Sequence, residues 1–241
     1  MKMFKDFYKG EVAEEYNSKR FTRKRSIFWD RLDKKIVFNE IKKTFNTKKK
    51  IRVLDLGCGT GRFSLFLSSL KNIELYGVDP STDMLGICKK EFDRKHRKII
   101  LKIGDTENIP LRDDFFNVVI CFRVFIHIKE YQNSLREIFR ILKKDGIFIF
   151  DILNKFSLLG PITILHRRIR KIGSNTHRFS IKEVFDIAKK EGFKDPKDYP
   201  IKTFPLSGFA SHLSFDFAEQ LERGFKGIKN IADGFIITLK K

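Results

Sequence analysis

The sequence predicts an α/β fold, a doubly wound and mostly parallel sheet with helices on both faces. Between about residues 50 and 150, short apolar segments alternate with amphipathic ones four or five times. The links between them are short, which suits right-handed crossovers in one sheet. Phe116 to Phe122 is a nearly continuous apolar run, as expected of a strand covered on both faces.

The elements follow in order. Residues 1–47 form a helical cap. Over 11–45, Ile27, Phe28, Leu32, Ile36, Ile41 and Phe45 recur at near-helical spacing with Lys and Arg between them. Residues 48–152 form the core. Lys48-Lys49-Lys50 leads into the strand Ile51 to Leu56, which ends at a Gly cluster, and a helix runs from about Arg62 to Leu70. The strand Ile73 to Val78 ends at Asp79-Pro80, and Ser81-Thr82-Asp83 can cap the helix that follows. Ile99 to Ile103 is a strand ending at Gly104-Asp105. After Phe116 to Phe122 come a helix from about Tyr131 to Leu142, the turn Lys144-Asp145-Gly146 and the strand Ile147 to Phe150. Residues 153–178 read as a lid or substrate segment holding the basic run His166 to Lys171, since a long connection in a compact domain usually serves the site. Residues 179–241 close the single domain with a helix from Ser180 to Glu191 and strands near 197–204 and 234–239. Segment 205–233 carries no clear pattern.

Composition narrows the class. The 241 residues are 41% hydrophobic and 33% charged, which supplies both a core and a soluble surface and excludes a disordered or fibrous chain. The net charge of +20 admits a nucleic acid, an acidic membrane surface or an anionic substrate as partner. The basic residues occur throughout, however, and the abundance of Lys and of Phe (26 residues) fits a compositional bias. Cys58, Cys88 and Cys121 show no CxxC spacing and suit a reducing cytosol. The five His are too scattered for a local metal motif, so no metal is expected. The N-terminus shows no apolar run of signal-peptide length, and Ile147 to Leu165 is interrupted by Asp151, Asn154, Lys155, Gly160 and Pro161. The expectation is a cytoplasmic protein, not one integral to a membrane; the oligomeric state is left open.

The chemistry is concentrated at Asp55-Leu56-Gly57-Cys58-Gly59-Thr60-Gly61. Gly residues between a strand and a helix let backbone approach a ligand closely and expose N–H groups. The spacing is GxGxG, which differs from the GxGxxG of dinucleotide sites, and no Lys-Ser/Thr follows as in a P-loop. Asp79 ends the second strand 18 residues after Gly61 and can accept hydrogen bonds from both hydroxyls of a ribose. Asp105 ends the third strand and can accept from an adenine amino group. All of these sit at carboxyl ends of strands, where open α/β sheets bind ligands.

These segments resemble the class I S-adenosylmethionine-dependent methyltransferases, in the branch of the ubiquinone/menaquinone enzymes (methyltransferase type 11). Val53 to Gly61, Tyr76 to Leu85, Gly104 to Leu111 and Leu135 to Gly146 look like its successive motifs, and Glu11 to Tyr16 resembles its N-terminal cap. The resemblance implies a Rossmann-like, seven-stranded sheet whose last strand is antiparallel. It implies S-adenosyl-L-methionine as cofactor, with Gly57, Gly59 and Gly61 along the methionine part, Asp79 on the ribose, and Asp105 and Thr106 on the adenine. Cys121 would contribute backbone near the sulfonium, and Asp55 would fix the loop. Asn117 departs from the family's usual Asp, and Phe125-Ile126-His127 replaces a commoner Leu-His-His.

His127 is the candidate general base, against a structural role in holding the lid. Tyr16 could close over the cofactor or pack on the sheet. Cys121 lacks the flanking Pro of enzymes that methylate base carbons through a Cys nucleophile, and Cys121-Phe122-Arg123 is not the Asp/Asn-Pro-Pro-aromatic signature of adenine or glutamine N-methylation. The reading is therefore methyl transfer to O, N or C of a small molecule. The alternatives are a tRNA or rRNA methyltransferase using the basic runs Lys19 to Arg25 and His166 to Lys171, and a non-catalytic cofactor-binding protein.

Overall fold

The computed structural model describes residues 10–16, 24–46, 48–158, 160–161, 176–203, 214–224 and 232–241. Its elements are α1 (Glu11–Glu14), α2 (Lys24–Thr44), β1 (Ile51–Leu56), α3 (Arg62–Leu67), β2 (Ile73–Asp79), α4 (Thr82–Arg94), β3 (Ile100–Ile103), β4 (Phe116–Cys121), α5 (Gln132–Ile141), β5 (Leu142–Asn154), β6 (Arg178–Phe179), α6 (Ile181–Lys190), β7 (Lys194–Ile201), α7 (Phe215–Gly224) and β8 (Gly234–Lys240).

The strand order is β3-β2-β1-β4-β5-β8-β7, with the two-residue β6 beside the end of β5. The pairs β2–β3, β1–β2, β1–β4 and β4–β5 are parallel. Strand β8 runs antiparallel to both β5 and β7. The sheet thus has seven strands on its main path, the last in sequence being the reversed one, and β6 adds an eighth that the sequence did not suggest. The order reverses direction between β1 and β4, so the first two crossover helices, α3 and α4, lie on one face and α5 on the other, and a crevice opens above the carboxyl ends of those two strands.

Strand periodicity decides which residues meet which helices. Ile51 and Val53, Val118 and Ile120, and Ile147 and Ile149 face a core with Val37 and Ile41 of α2, Phe63 and Leu67 of α3, and Cys88 and Phe92 of α4. Leu54 and Leu56, Val119 and Cys121, and Phe148 and Phe150 face the other core, with Leu135 and Ile138 of α5 and Val184 and Ala188 of α6. Both faces of β4 are covered, which explains its apolar run.

Three boundaries differ from expectation. Of the helix expected over 11–45, the described residues hold α1 and α2, with a turn at Glu15. Helix α3 stops at Leu67, followed by turns. Strand β5 covers 13 residues: Leu142 already pairs with Phe116 ahead of a register shift, and Ile152 and Leu153 pair with Phe235 and Gly234 of β8. The turn residues Lys144-Asp145-Gly146 lie within that strand.

Candidate functional site

The Gly loop starts where β1 ends. The N–H groups of Gly57 and Cys58 donate to the carbonyl of Val78 at 2.7 and 3.1 Å, tying the loop to the end of β2. Gly57 has φ +77°, and a Cβ there would lie 2.3 Å from Val124 Cγ2. Gly59 has φ +53° and faces open space within a cleft. Gly61 caps the start of α3 and faces Cys88 instead.

Two carboxylates fix this loop. Asp55 Oδ2 accepts from Ser64 Oγ at 2.6 Å, both groups buried, and burial pushes the Asp55 carboxyl up to about 7. Asp79 Oδ2 accepts from the N–H of Gly59 at 2.8 Å, and its Oδ1 from the N–H of Ser81 at 2.9 Å. Burial raises the Asp79 carboxyl, and these two N–H bonds oppose the rise. Each oxygen keeps a lone pair for a ligand hydroxyl.

The third rim is the loop after β3. Asp105 Oδ1 accepts from the N–H groups of Glu107 and Asn108 at 2.9 and 3.0 Å. Thr106 Oγ1 accepts from Ser134 Oγ at 2.8 Å in a buried pair. Helix α5 secures the rest: Glu137 accepts from the N–H of Ile109 at 3.1 Å, and Arg140 donates to the carbonyls of Ile109 and Leu111 at 3.0 and 2.9 Å. The segment Leu135 to Gly146 thus supplies the brace of this loop.

The fourth rim follows β4. Phe122, Arg123 and Val124 line the cleft, and so do His127, from a short 3₁₀ turn (Phe125–His127), and Ile128 just after it. Together with Tyr16 they complete a space of about 780 Å³, counting its open mouth. His127 is half-buried, and the carbonyl of Ile126 accepts from the N–H of His177 at 2.7 Å, which holds the turn.

Of the residues singled out in the sequence, Gly57, Gly59, Asp79, Asp105, Thr106 and His127 therefore share one cleft with Tyr16. Asp55 and Gly61 stand behind it. The side chain of Cys121 does not line it: it packs fully buried in the core on the α5 side, burial pushes its thiol up, and the lining begins one residue later at Phe122, next to the Cys121 backbone of which a contribution was expected. Strand alternation is the reason. Asn117 Oδ1 accepts from the N–H of Arg52 at 2.9 Å, at the opposite end of β4 from the cleft. The basic runs at Lys19 to Arg25 and His166 to Lys171 lie outside the described residues, apart from Lys24 and the backbone of Arg25.

Sequence reasoning missed Arg123 and its partners. The residue adopts φ +62°. Its N–H donates to Asp151 Oδ1 at 2.6 Å, and its guanidinium reaches Asp151 Oδ2 and Asp33 Oδ2, both at 2.9 Å. Desolvation pushes the fully buried Asp33 carboxyl up to about 6 against the pull of Arg123, and pushes Lys202 nearby down to about 8. A charge directly after each of two apolar runs, Arg123 after Phe122 and Asp151 after Phe150, was the available signal.

The fold and the site define an open α/β sheet with a nucleoside-type cleft at its switch point. A family model described as a methyltransferase domain matches residues 54–150. An uncharacterized protein of Methanocaldococcus jannaschii is 35% identical over 162 residues, 66% of this chain and 64% of that one. The demethylmenaquinone methyltransferase of Staphylococcus saprophyticus is 32% identical over 130 residues, 50% of this chain and 55% of the relative. In fold, the chain matches the magnesium protoporphyrin IX methyltransferase of Synechocystis, solved with bound SAH, at a TM-score of 0.70. That match covers 100% of this chain and 99% of the other at 14% identity. Residues 54–150 thus form a methyltransferase domain whose relatives include enzymes named for ubiquinone and menaquinone, and S-adenosylmethionine is the cofactor of such a domain.

Proposed function

We propose that the chain transfers a methyl group from S-adenosylmethionine to O, N or C of a small-molecule acceptor. The observation that supports this reading is the convergence of Gly59, Asp79, Asp105 and Thr106 on one cleft whose remaining wall is Phe122 to Val124, His127 and Ile128. The residues fit the cofactor. A side chain at position 59 would fill the cleft that its Gly leaves open, and Asp79 presents a braced carboxylate to it. Gly57 and Gly59 would hold the methionine part, with Gly61 and Asp55 supporting the loop; Asp79 would hold the ribose, and Asp105 and Thr106 the adenine. Bound there, S-adenosylmethionine supplies an electrophilic methyl on a sulfonium.

The chain's own part is positioning and exclusion of water, which alone can supply much of the rate. His127, on the cleft lining, would accept a proton from an O–H or N–H acceptor. A carbon nucleophile or an unprotonated amine would leave it only a positioning role. The apolar lining by Met84, Phe122, Val124 and Ile128 favours an acceptor with an apolar body. The demethylmenaquinone named for the staphylococcal relative is one such molecule.

Calorimetric titration with S-adenosylmethionine tests the cofactor site. Wild type should bind, and Asp79→Ala should lose about a hundredfold in affinity, since a charged hydrogen-bond acceptor is removed. Transfer of labelled methyl to a panel holding quinone precursors, amines and bulk tRNA tests the acceptor. Labelling of tRNA alone would replace the small-molecule reading by the RNA one.

A further inference from the structure

Helix α2 carries Asp30 and Asp33 one turn apart. Asp30 pairs with Arg62, the residue directly after the last Gly of the loop. Asp33 pairs with Arg123, which lines the cleft and is also held by Asp151. Between the two arginines, Phe63 of α3 and Phe122 of the cleft lining stack their rings at 4.3 Å. One face of one helix therefore holds both the residue that ends the Gly loop and a residue of the cleft lining after β4, and the contact between Asp33 and Arg123 joins residues 90 apart in sequence.

We propose that Asp30 and Asp33 are positioning residues that set the width of the cofactor cleft by pinning Arg62 and Arg123 at fixed separation. This rests on the methyltransferase reading and deepens it. Side-chain packing favours this role over a purely structural one. Val37 and Ile41 already seat α2 on the sheet, and Phe28, Trp29 and Leu32 pack it on Ala218, so neither ion pair is needed to hold the helix down. Burying charges is costly, and Asp33 is wholly buried among Arg123 of the β4 turn, Asp151 of β5 and Lys202 after β7. Tyr16, also on the cleft, acts on Arg123, and Asp233 acts on Lys202. Asp30 is shared with Lys34 at 2.8 Å on its own helix.

The two roles have opposite signs with pH. The Asp33 carboxyl is raised to about 6, so its protonation favours the folded chain as pH falls. The same protonation cancels its hold on Arg123. A clamp therefore loses cofactor affinity in acid while this group's contribution to stability rises.

The experiment measures the affinity of S-adenosylhomocysteine for wild type, Asp33→Asn and Asp30→Asn, with melting temperatures, at about pH 5 and about pH 7.5. If the cleft is competent only a tenth of the time without the clamp, each variant binds about tenfold more weakly at the higher pH. For Asp33→Asn the gap to wild type closes at the lower pH, whereas any slope due to Asp55 or Asp79 stays common to both proteins. Should Asp33→Asn fail to fold, Asp30→Asn, at a partly exposed site, carries the comparison at the higher pH. Wild-type affinity in the folded variants at both pH values, with only melting temperatures altered, would overturn the clamp. If wild type itself fails to bind, the methyltransferase reading falls first.

Discussion

Gly59 shows how one backbone position can serve the ligand and not the fold. Its neighbours Gly57 and Gly61 are fixed by packing against Val124 and Cys88, but nothing stands in front of Gly59. A Gly59→Ala change adds a methyl group to the free space of the cleft and places a side chain at φ +53°. The backbone strain is of order 1 kcal/mol. Loss of cofactor affinity should exceed that stability loss severalfold in free energy, and paired calorimetric and thermal-melt measurements check it. Equal losses would mean that the position serves only the turn. The same scale shows what was legible in the sequence. Gly57, Gly59, Asp79 and Asp105 stand at strand ends in a local pattern, so their shared cleft could be read from spacing. Asp33 carries no local pattern, and the charge that follows an apolar run at Arg123 does not reveal its partner, because their contact spans two elements that meet only after folding.

At the scale of elements, the cleft is assembled by caps and braces. Ser81 ends the turn after β2, and its hydroxyl accepts from the N–H of Met84 at 3.3 Å, capping α4 as the Ser81-Thr82-Asp83 pattern suggested. Its own N–H separately donates to Asp79. Ser81→Ala removes only the hydroxyl, so stability should fall by about 0.5–1 kcal/mol. That corresponds to about 1–4 °C in melting temperature for a chain of this length. Cofactor affinity should change far less than in Asp79→Ala, because the backbone contact survives. A large loss of affinity would show that the hydroxyl itself meets the ligand. The strand pattern revealed β1, β2 and β4 closely, since buried parallel strands have continuous apolar runs. The length of β5 was hidden, because its added residues are set by pairing with Phe116 and with β8 rather than by their own apolar character.

For the whole molecule, the charge of +20 describes the surface and says little about the cleft, where the decisive groups are acidic. Asp33 and Asp55 are raised to about 6 and about 7, and Asp79 is raised as well, in each case first by burial. A carboxyl raised on folding binds its proton more tightly in the folded chain. Its contribution is complete below the unfolded value and disappears as pH rises through the folded one. The carboxyls lowered by partners, Glu74, Glu137, Glu191 and Asp145, act oppositely, but only as pH falls below the usual carboxylate range. Those sites are at or near the surface and screened by water, so each is a minor factor. Stability should therefore be higher at about pH 5 than at about pH 7.5 when measured in enough salt to screen the surface charge. Asp55→Asn should flatten the profile between those values, since it keeps the shape of the buried group beside Ser64 and removes its titration. Cofactor affinity should run the other way, because Asp79 accepts from Gly59 and Ser81 as a carboxylate and would meet a ribose in that form. Thermal melts with and without S-adenosylhomocysteine across this range separate the two trends. A free protein that melts higher at the alkaline end would show that the buried carboxylates are better compensated than their surroundings indicate.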